Sequence, residues 1–160
     1  MKAIRFMAPE TIEVSDIPMP VCKDDEVIAK IAYAGFCATD IELLTGEMVH
    51  IKNGNTTYPL VPGHEWAGTI VAVGSKVRDL KVGDQITSDV SLGCGECDYC
   101  REGRYNLCPN REVVGSYRNR QGAFAEYIAV PQRHVYKVPE NLSLEEAALA
   151  EPAGTAEYAV

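Results

Sequence analysis

No run of apolar residues in this 160-residue chain is long enough to span a bilayer; the longest, near Ile70 to Val73, falls far short. The N-terminal MKAIRFMAPE has no apolar h-region, so it does not read as a secretory signal. Low-complexity tracts are absent, and 46% hydrophobic with 24% charged residues is the balance of a soluble domain with one sizeable core. Basic residues are the minority: 15 Lys and Arg against 23 Asp and Glu give a formal charge of −8. Such a surface repels phosphate backbones and argues against nucleic acid as a partner. The one basic cluster, Arg101, Arg104, Arg111, Arg118 and Arg120, is interrupted by Glu102 and Glu112 and reads as a solvated loop face. Also missing is the G-x-G-x-x-G fingerprint of a dinucleotide site: Gly93 and Gly95 are followed by Asp98, inside a cysteine-rich loop and not between a strand and a helix. With no membrane or export signal, the expected compartment is the cytoplasm, where cysteines are reduced.

Against these absences stand six cysteines. Four of them, Cys94, Cys97, Cys100 and Cys108, form a C-x2-C-x2-C-x7-C array in SLGCGECDYCREGRYNLCPN. Tetrahedral zinc takes thiolates delivered in close pairs on tight turns, and Gly93, Gly95 and Gly103 supply the turns. Four thiolates leave no open coordination position, so the array reads as a structural clamp on a loop of about 91–112. Disulfides lack a suitable compartment, and a C-x-x-C redox pair would leave two neighbouring cysteines unexplained.

Strand signals dominate the first 140 residues. Val27 to Tyr33 alternates in a β-rich run, and Ala67 to Val73 is small and β-branched. Further strands are expected at Ile4–Phe6, Ile12–Val14, Gln85–Val90, Ala125–Val130 and Val135–Val138. Pro and Gly punctuate them at short intervals, as in a barrel or sandwich. A short helix is expected from about Asp40 to Leu44, with Thr39 as N-cap and Gly46 as the stop. Ser143 and Glu146 make a capping box ahead of LEEAALA. Pro152 is expected to interrupt that helix, with GTAEYAV opening a second one that has no terminal cap.

Two further segments hold metal-ligand residue types: GFCATDIELLTG, with Cys37, Thr39 and Asp40, and YPLVPGHEWAGTIVAVGSKV, with His64 and Glu65. A lone Cys is often a core residue, and a lone His is more often structural than a ligand. Taken in order, C-x-T-D-I, P-G-H-E, V-G-D, the cysteine array and A-E-P resemble the zinc-dependent medium-chain dehydrogenases, near the polyol, butanediol and threonine dehydrogenase branch. The resemblance runs over essentially the whole chain.

That resemblance implies a mainly β fold with a few short helices: a GroES-like β-barrel catalytic domain with a zinc-binding lobe and two zinc ions. Cys94, Cys97, Cys100 and Cys108 would hold the structural zinc. Cys37 and His64 would hold the catalytic zinc with a carboxylate, for which Glu65 and Glu151 compete. If all four bind, the site is closed and one carboxylate must leave to admit substrate. Zinc in such a site is a Lewis acid that favours alkoxide character on a carbinol oxygen. Thr39 would hydrogen-bond that oxygen and pass its proton on, and Asp40 would orient His64 by accepting the proton of its second nitrogen. Glu42 stands where several members carry a histidine, so the proton leaves through Glu42 or through water. Cys22, His50 and His134 fall outside the matching motifs and read as structural or surface residues. Trp66 reads as a core aromatic.

The activity implied is oxidation of a secondary alcohol, polyol or amino alcohol by hydride transfer to NAD or NADP, in a homo-oligomeric enzyme with a small-molecule substrate. The expected Rossmann domain would begin shortly after 143–160, so the chain is expected to be the N-terminal catalytic-domain portion of a longer enzyme, inactive alone. The alternative is a free-standing zinc-stabilised GroES-like binding or scaffold module. A zinc-independent quinone-reductase relative is disfavoured by Cys37, His64 and the array together.

Overall fold

The structure is a computed structural model that describes residues 1–159; Val160, the last residue of the expected connection, lies outside the described residues. In chain order the elements are β1 (Lys2–Ala8), β2 (Thr11–Asp16), β3 (Glu26–Ala34), α1 (Ala38–Thr45), α2 (Val49–Lys52), β4 (Trp66–Val73), β5 (Gln85–Ser88), β6 (Ser91–Leu92), α3 (Asp98–Arg101), β7 (Glu112–Val113), β8 (Tyr127–Pro131), β9 (Val135–Lys137), α4 (Leu144–Ala147) and α5 (Ala150–Tyr158). The result is mainly β with short helices, as expected. All seven strands read from the sequence are present, with ends displaced by a few residues. No helix among the described residues is long and apolar enough to cross a membrane.

Five strands form one antiparallel sheet in the order β8-β3-β4-β5-β9. Its register explains the core. Val27 faces Val130 and Ala29 faces Ile128 across the β3–β8 ladder, and these four residues are buried together with Trp66, Ile70 and Ile86. Burying such aliphatic side chains contributes about 1.5–3 kcal/mol each. The ladder between β3 and β4 shifts register between Ile28 and Ala29 and again between Ile31 and Tyr33, and bulges of this kind bend a sheet.

Two smaller cores anchor the helices. Phe6, paired with Leu60 through an isolated bridge, packs with Leu43 and fixes α1 against β1. Ala147 and Ala148 pack on Ala67 of β4 and bring α4 to the sheet. Helix α4 starts as read from the sequence: Ser143 Oγ accepts the Glu146 amide at 3.2 Å, and Glu146 returns the contact to the Ser143 amide at 2.8 Å.

Two helical expectations need correction. The N-cap of α1 is Cys37, in extended conformation, and Thr39 is the second residue inside the helix. Gly46 does stop it, at φ 80. Pro152 does not interrupt a helix: the break falls at Ala148–Leu149, and α5 begins at Ala150. Pro152 therefore lies in the first turn, where its missing N–H would have had no intrahelical partner.

Candidate metal centres

Strand pairing builds the first site. Ala34, the last residue of β3, is registered with Trp66, the first of β4, and the ladder continues one step further as the Gly35 amide donates to the Glu65 carbonyl at 2.7 Å. The segment leaving β3 carries Cys37, and the segment entering β4 carries His64 and Glu65. One end of the sheet thus collects a thiol, an imidazole and a carboxylate whose ligand atoms all lie within 4.8 Å of one another. A Cβ on Gly35 would overlap Glu65 Oε2, so the carboxylate occupies the space of the absent side chain.

Asp40 ties the two segments. It is fully buried; its Oδ2 accepts the Cys37 amide at 3.0 Å and its Oδ1 accepts the Gly63 amide at 3.1 Å. The sequence reading gave Asp40 a different task, accepting a proton from His64. His64 Nδ1 instead lies 3.9 Å from Asp40 Oδ1, buried and without a hydrogen-bond partner among the described residues. The hydrogen bonds Asp40 makes are therefore to backbone amides, with the His64 ring adjacent but not bonded to it.

Thr39 Oγ1 lies 3.7 Å from Cys37 Sγ, which puts a hydroxyl at the edge of the cluster. Glu151, in the first turn of α5, is close enough to feel His64 and Glu65 but is not in the set of mutually adjacent ligand atoms. Burial raises its carboxyl pKa, the His64 charge opposes that shift, and the Glu65 charge adds to it. Glu42 is exposed on α1, and Trp66 is buried in the main core.

The donors of this cluster suit zinc. A thiolate, an imidazole and a carboxylate form a mixed S/N/O set of the kind zinc accepts, and three protein ligands leave a fourth position open.

The second cluster is the array. Cys94, Cys97, Cys100 and Cys108 also have ligand atoms within 4.8 Å of one another, and all are free thiols. Local structure presents them: Cys97 caps α3, Cys100 lies within it, and the 3-10 turn Tyr105–Leu107 delivers Cys108. The β6–β7 ladder, Leu92 opposite Glu112, closes the base of the loop. Amides of Glu96 and Cys97 hold the Cys94 thiol down, to about 6, whereas burial and the neighbouring thiols push Cys100 up to about 12. Four thiolates this close repel, so a cation is what would let them ionise together. The lobe is fastened to the sheet by Arg133, whose guanidinium donates to the Gly93 carbonyl at 2.8 Å and pairs with Asp25 at 2.8 Å.

Residues 23–140 match the model of the alcohol dehydrogenase GroES-like domain. The chain belongs to this family. It is 41% identical over 155 residues to D-arabitol-phosphate dehydrogenase from Enterococcus avium, covering 95% of this chain and 42% of that protein. Among solved structures, galactitol-1-phosphate dehydrogenase from Escherichia coli superposes with a TM-score of 0.83 at 37% identity, covering 95% of this chain and 42% of that one. A Sinorhizobium meliloti 1021 protein described as a zinc-binding dehydrogenase, solved bound to NADP, superposes with a TM-score of 0.80 at 37% identity, covering 94% and 42%. The GroES-like fold expected from the motifs is therefore the family's fold. The chain spans less than half the length of these relatives.

Sequence reasoning missed one contributor to the first site and misread the contacts of another. Gly35 is invisible as a functional residue until its neighbour Glu65 is placed. Asp40 was noticed, but only its contacts reveal that it serves backbone amides. Phe36, exposed and next to Cys37 in sequence, stacks on Phe124 with centroids 6.0 Å apart.

Proposed function

We propose that the chain is the metal-binding catalytic portion of a zinc-dependent NAD(P) alcohol dehydrogenase that oxidises a secondary alcohol, with the polyol class as the leading substrate, to a ketone by hydride transfer. The convergence of Cys37, His64 and Glu65 at one end of the sheet carries this reading. The dehydrogenase names of the relatives, two of them acting on polyol phosphates, support the substrate class. The NADP-bound relative supports the cofactor.

Bound zinc would supply a Lewis acid that lowers the cost of alkoxide character on the carbinol oxygen. Cys37, His64 and Glu65 would fix the position of that acid, with Glu151 as the competing carboxylate nearby. The Thr39 hydroxyl, 3.7 Å from Cys37 Sγ, would accept the proton of an alcohol held beside the cluster and pass it on, since a hydroxyl can donate and accept at once; a bound nicotinamide would supply the hydride acceptor. Cys94, Cys97, Cys100 and Cys108 would hold a second zinc, whose chemistry would be to cross-link the lobe of about 91–112. The relatives' extra length supports placing the cofactor on a Rossmann domain reached through 143–160. Reduced cysteines support a cytoplasmic setting, and the enzyme class supports a homo-oligomer.

The test is metal content with cobalt as a spectroscopic probe. Two metals per chain are expected, each with a thiolate charge-transfer band. Cys37→Ser should remove one metal and part of that band while the array keeps its own. Full occupancy of both centres in Cys37→Ser would overturn the reading.

A further inference from the structure

The structure sorts the five arginines of the basic cluster into two groups. Arg101 pairs with Asp98 at 3.1 Å, Arg104 with Glu102, and Arg120 with Glu26 and Glu112 at 3.2 and 3.3 Å. Arg111 and Arg118 form no ion pair among the described residues, although acidic residues outnumber basic ones in this chain; the one hydrogen bond of the Arg118 guanidinium is to the Pro109 carbonyl at 3.1 Å. Both guanidiniums lie against the ring of Tyr117, with Cζ 5.5 and 5.4 Å from its centroid. His50 of α2 completes the group, its ring centroid 4.6 Å from that of Tyr117. His50 Nδ1 is buried and has no hydrogen-bond partner among the described residues. Burial first, then the Arg111 charge, holds the imidazole below its ordinary range, as expected where cationic groups gather without a carboxylate.

The turn that presents this group is held in place. Asn119 accepts the Thr57 amide at 3.0 Å and donates to the Thr57 carbonyl at 2.7 Å, and buried Thr56 donates to the Ser116 carbonyl at 2.6 Å. Gly115 rests against the backbone of Gly63, the residue before His64, so closely that a Cβ there would overlap it. Gly115, two residues before Tyr117, thus packs this turn against the loop that ends in His64.

We propose that Arg111, Arg118 and His50, arranged around Tyr117, bind the phosphate monoester group of a small substrate. A carboxylate offers two oxygens, which one guanidinium already satisfies. Two guanidiniums and an imidazole match a dianion with three terminal oxygens, and arginine is suited to forked contacts with phosphate. Calling the ligand a substrate rests on the dehydrogenase reading of the Cys37 centre; the binding itself does not.

The chain has three histidines, so its imidazole proton resonances can be followed singly, with that of His50 assigned through His50→Gln. Titration with inorganic phosphate at constant ionic strength should shift the His50 resonance saturably. Arg111→Gln with Arg118→Gln should weaken that binding about tenfold or more, whereas Arg101→Gln, in the same lobe but paired, should change it less than about twofold. No saturable shift, or equal weakening by Arg101→Gln, overturns the site. Acetate binding as tightly as phosphate overturns the phosphate assignment. Zinc content is measured on the same samples: loss of the cobalt signature without loss of phosphate binding would remove the dehydrogenase reading and leave the anion site standing.

Discussion

The Gly63 amide donates to Asp40 Oδ1 at 3.1 Å, so a residue of helix α1 holds the loop that ends in His64. The other carboxylate oxygen holds the Cys37 amide, and the two loops of the first metal centre meet on one buried side chain. Asp40→Asn keeps the shape but offers an N–H where one amide needs an acceptor. The expected result is a loss of about 1–3 kcal/mol in urea denaturation, from a buried donor left unpaired. Metal affinity of the first centre should fall while the four-thiol centre keeps its metal. Equal weakening of both centres would show that Asp40 supports the fold at large and not this site.

Gly35→Ala addresses the same centre from below. The new Cβ would meet Glu65 Oε2, the mobile end of a side chain, so the carboxylate can swing away at modest cost in stability. Swinging away takes it out of reach of Cys37 and His64. A metal affinity lower by about 10–100-fold at the first centre is expected, the range seen when groups that position ligands are lost. Competition with a chelator for cobalt bound at that centre reads this directly, and an unchanged affinity would mean that Glu65 is not a ligand.

The four-cysteine array is legible from its spacing, whereas Cys37, His64 and Glu65 are legible only through the resemblance of their motifs to a known family. Cys37, His64, Glu65 and the four array cysteines can be named without coordinates, and the strands that deliver them follow from β-branched runs such as Val27–Tyr33. What escapes is information held between segments. Thr39 looks like a helix cap because its hydroxyl suits that role, but the backbone enters α1 two residues earlier, at Cys37. Pro152 looks like a breaker because only its place in α5 shows its N–H to be dispensable. Strands β6 and β7, two residues each, are too short to show a period, and their pairing depends on the loop they close. The arginines divide into paired and unpaired only when their partners, some distant in sequence, are in place.

Cys100→Ser should unfasten the lobe alone. Its thiol is buried, and a Cβ on Gly93 would lie 2.7 Å from Cys100 Sγ, so the loop is packed around the sulfur. Loss of one thiolate leaves three, and the lobe's order depends on the shared metal. Hydrogen exchange should accelerate over residues 91–113 with little change in β3, β4 and β8. A chelator strong enough to strip the array should reproduce the pattern, and protection lost across the whole sheet would refute the lobe's independence.

Acid sensitivity should report on Asp84. Its carboxylate pairs with Lys137 Nζ at 2.9 Å and accepts the Lys81 amide at 3.0 Å, which joins the start of β5 to β9. The Lys137 contact first, then the Lys81 amide, holds its pKa below the usual carboxylate range against an opposing effect of burial. A folded-state pKa lower than the unfolded one stabilises above the unfolded value, about 3.9, and is lost as pH falls through the folded value. Asp84→Asn should therefore lower stability near neutrality and flatten the acid branch of the urea midpoint below about pH 4. An acid branch identical to that of the parent chain would assign the sensitivity elsewhere.

Thr39→Val separates chemistry from architecture in the whole protein. Valine keeps the shape of threonine and removes only the hydroxyl, which lies 3.7 Å from Cys37 Sγ. Were Thr39 the N-cap, its loss would also fray α1, at a cost of about 1 kcal/mol. The cap is Cys37, with its amide held by Asp40, so the helix start should survive the substitution. Metal content and thermal stability are then expected to stay near those of the parent. Turnover should fall by about 10²–10⁴, the usual contribution of a positioned proton-transfer group. A parallel loss of metal and turnover would make Thr39 a support for the centre; unchanged turnover would move proton transfer to another group.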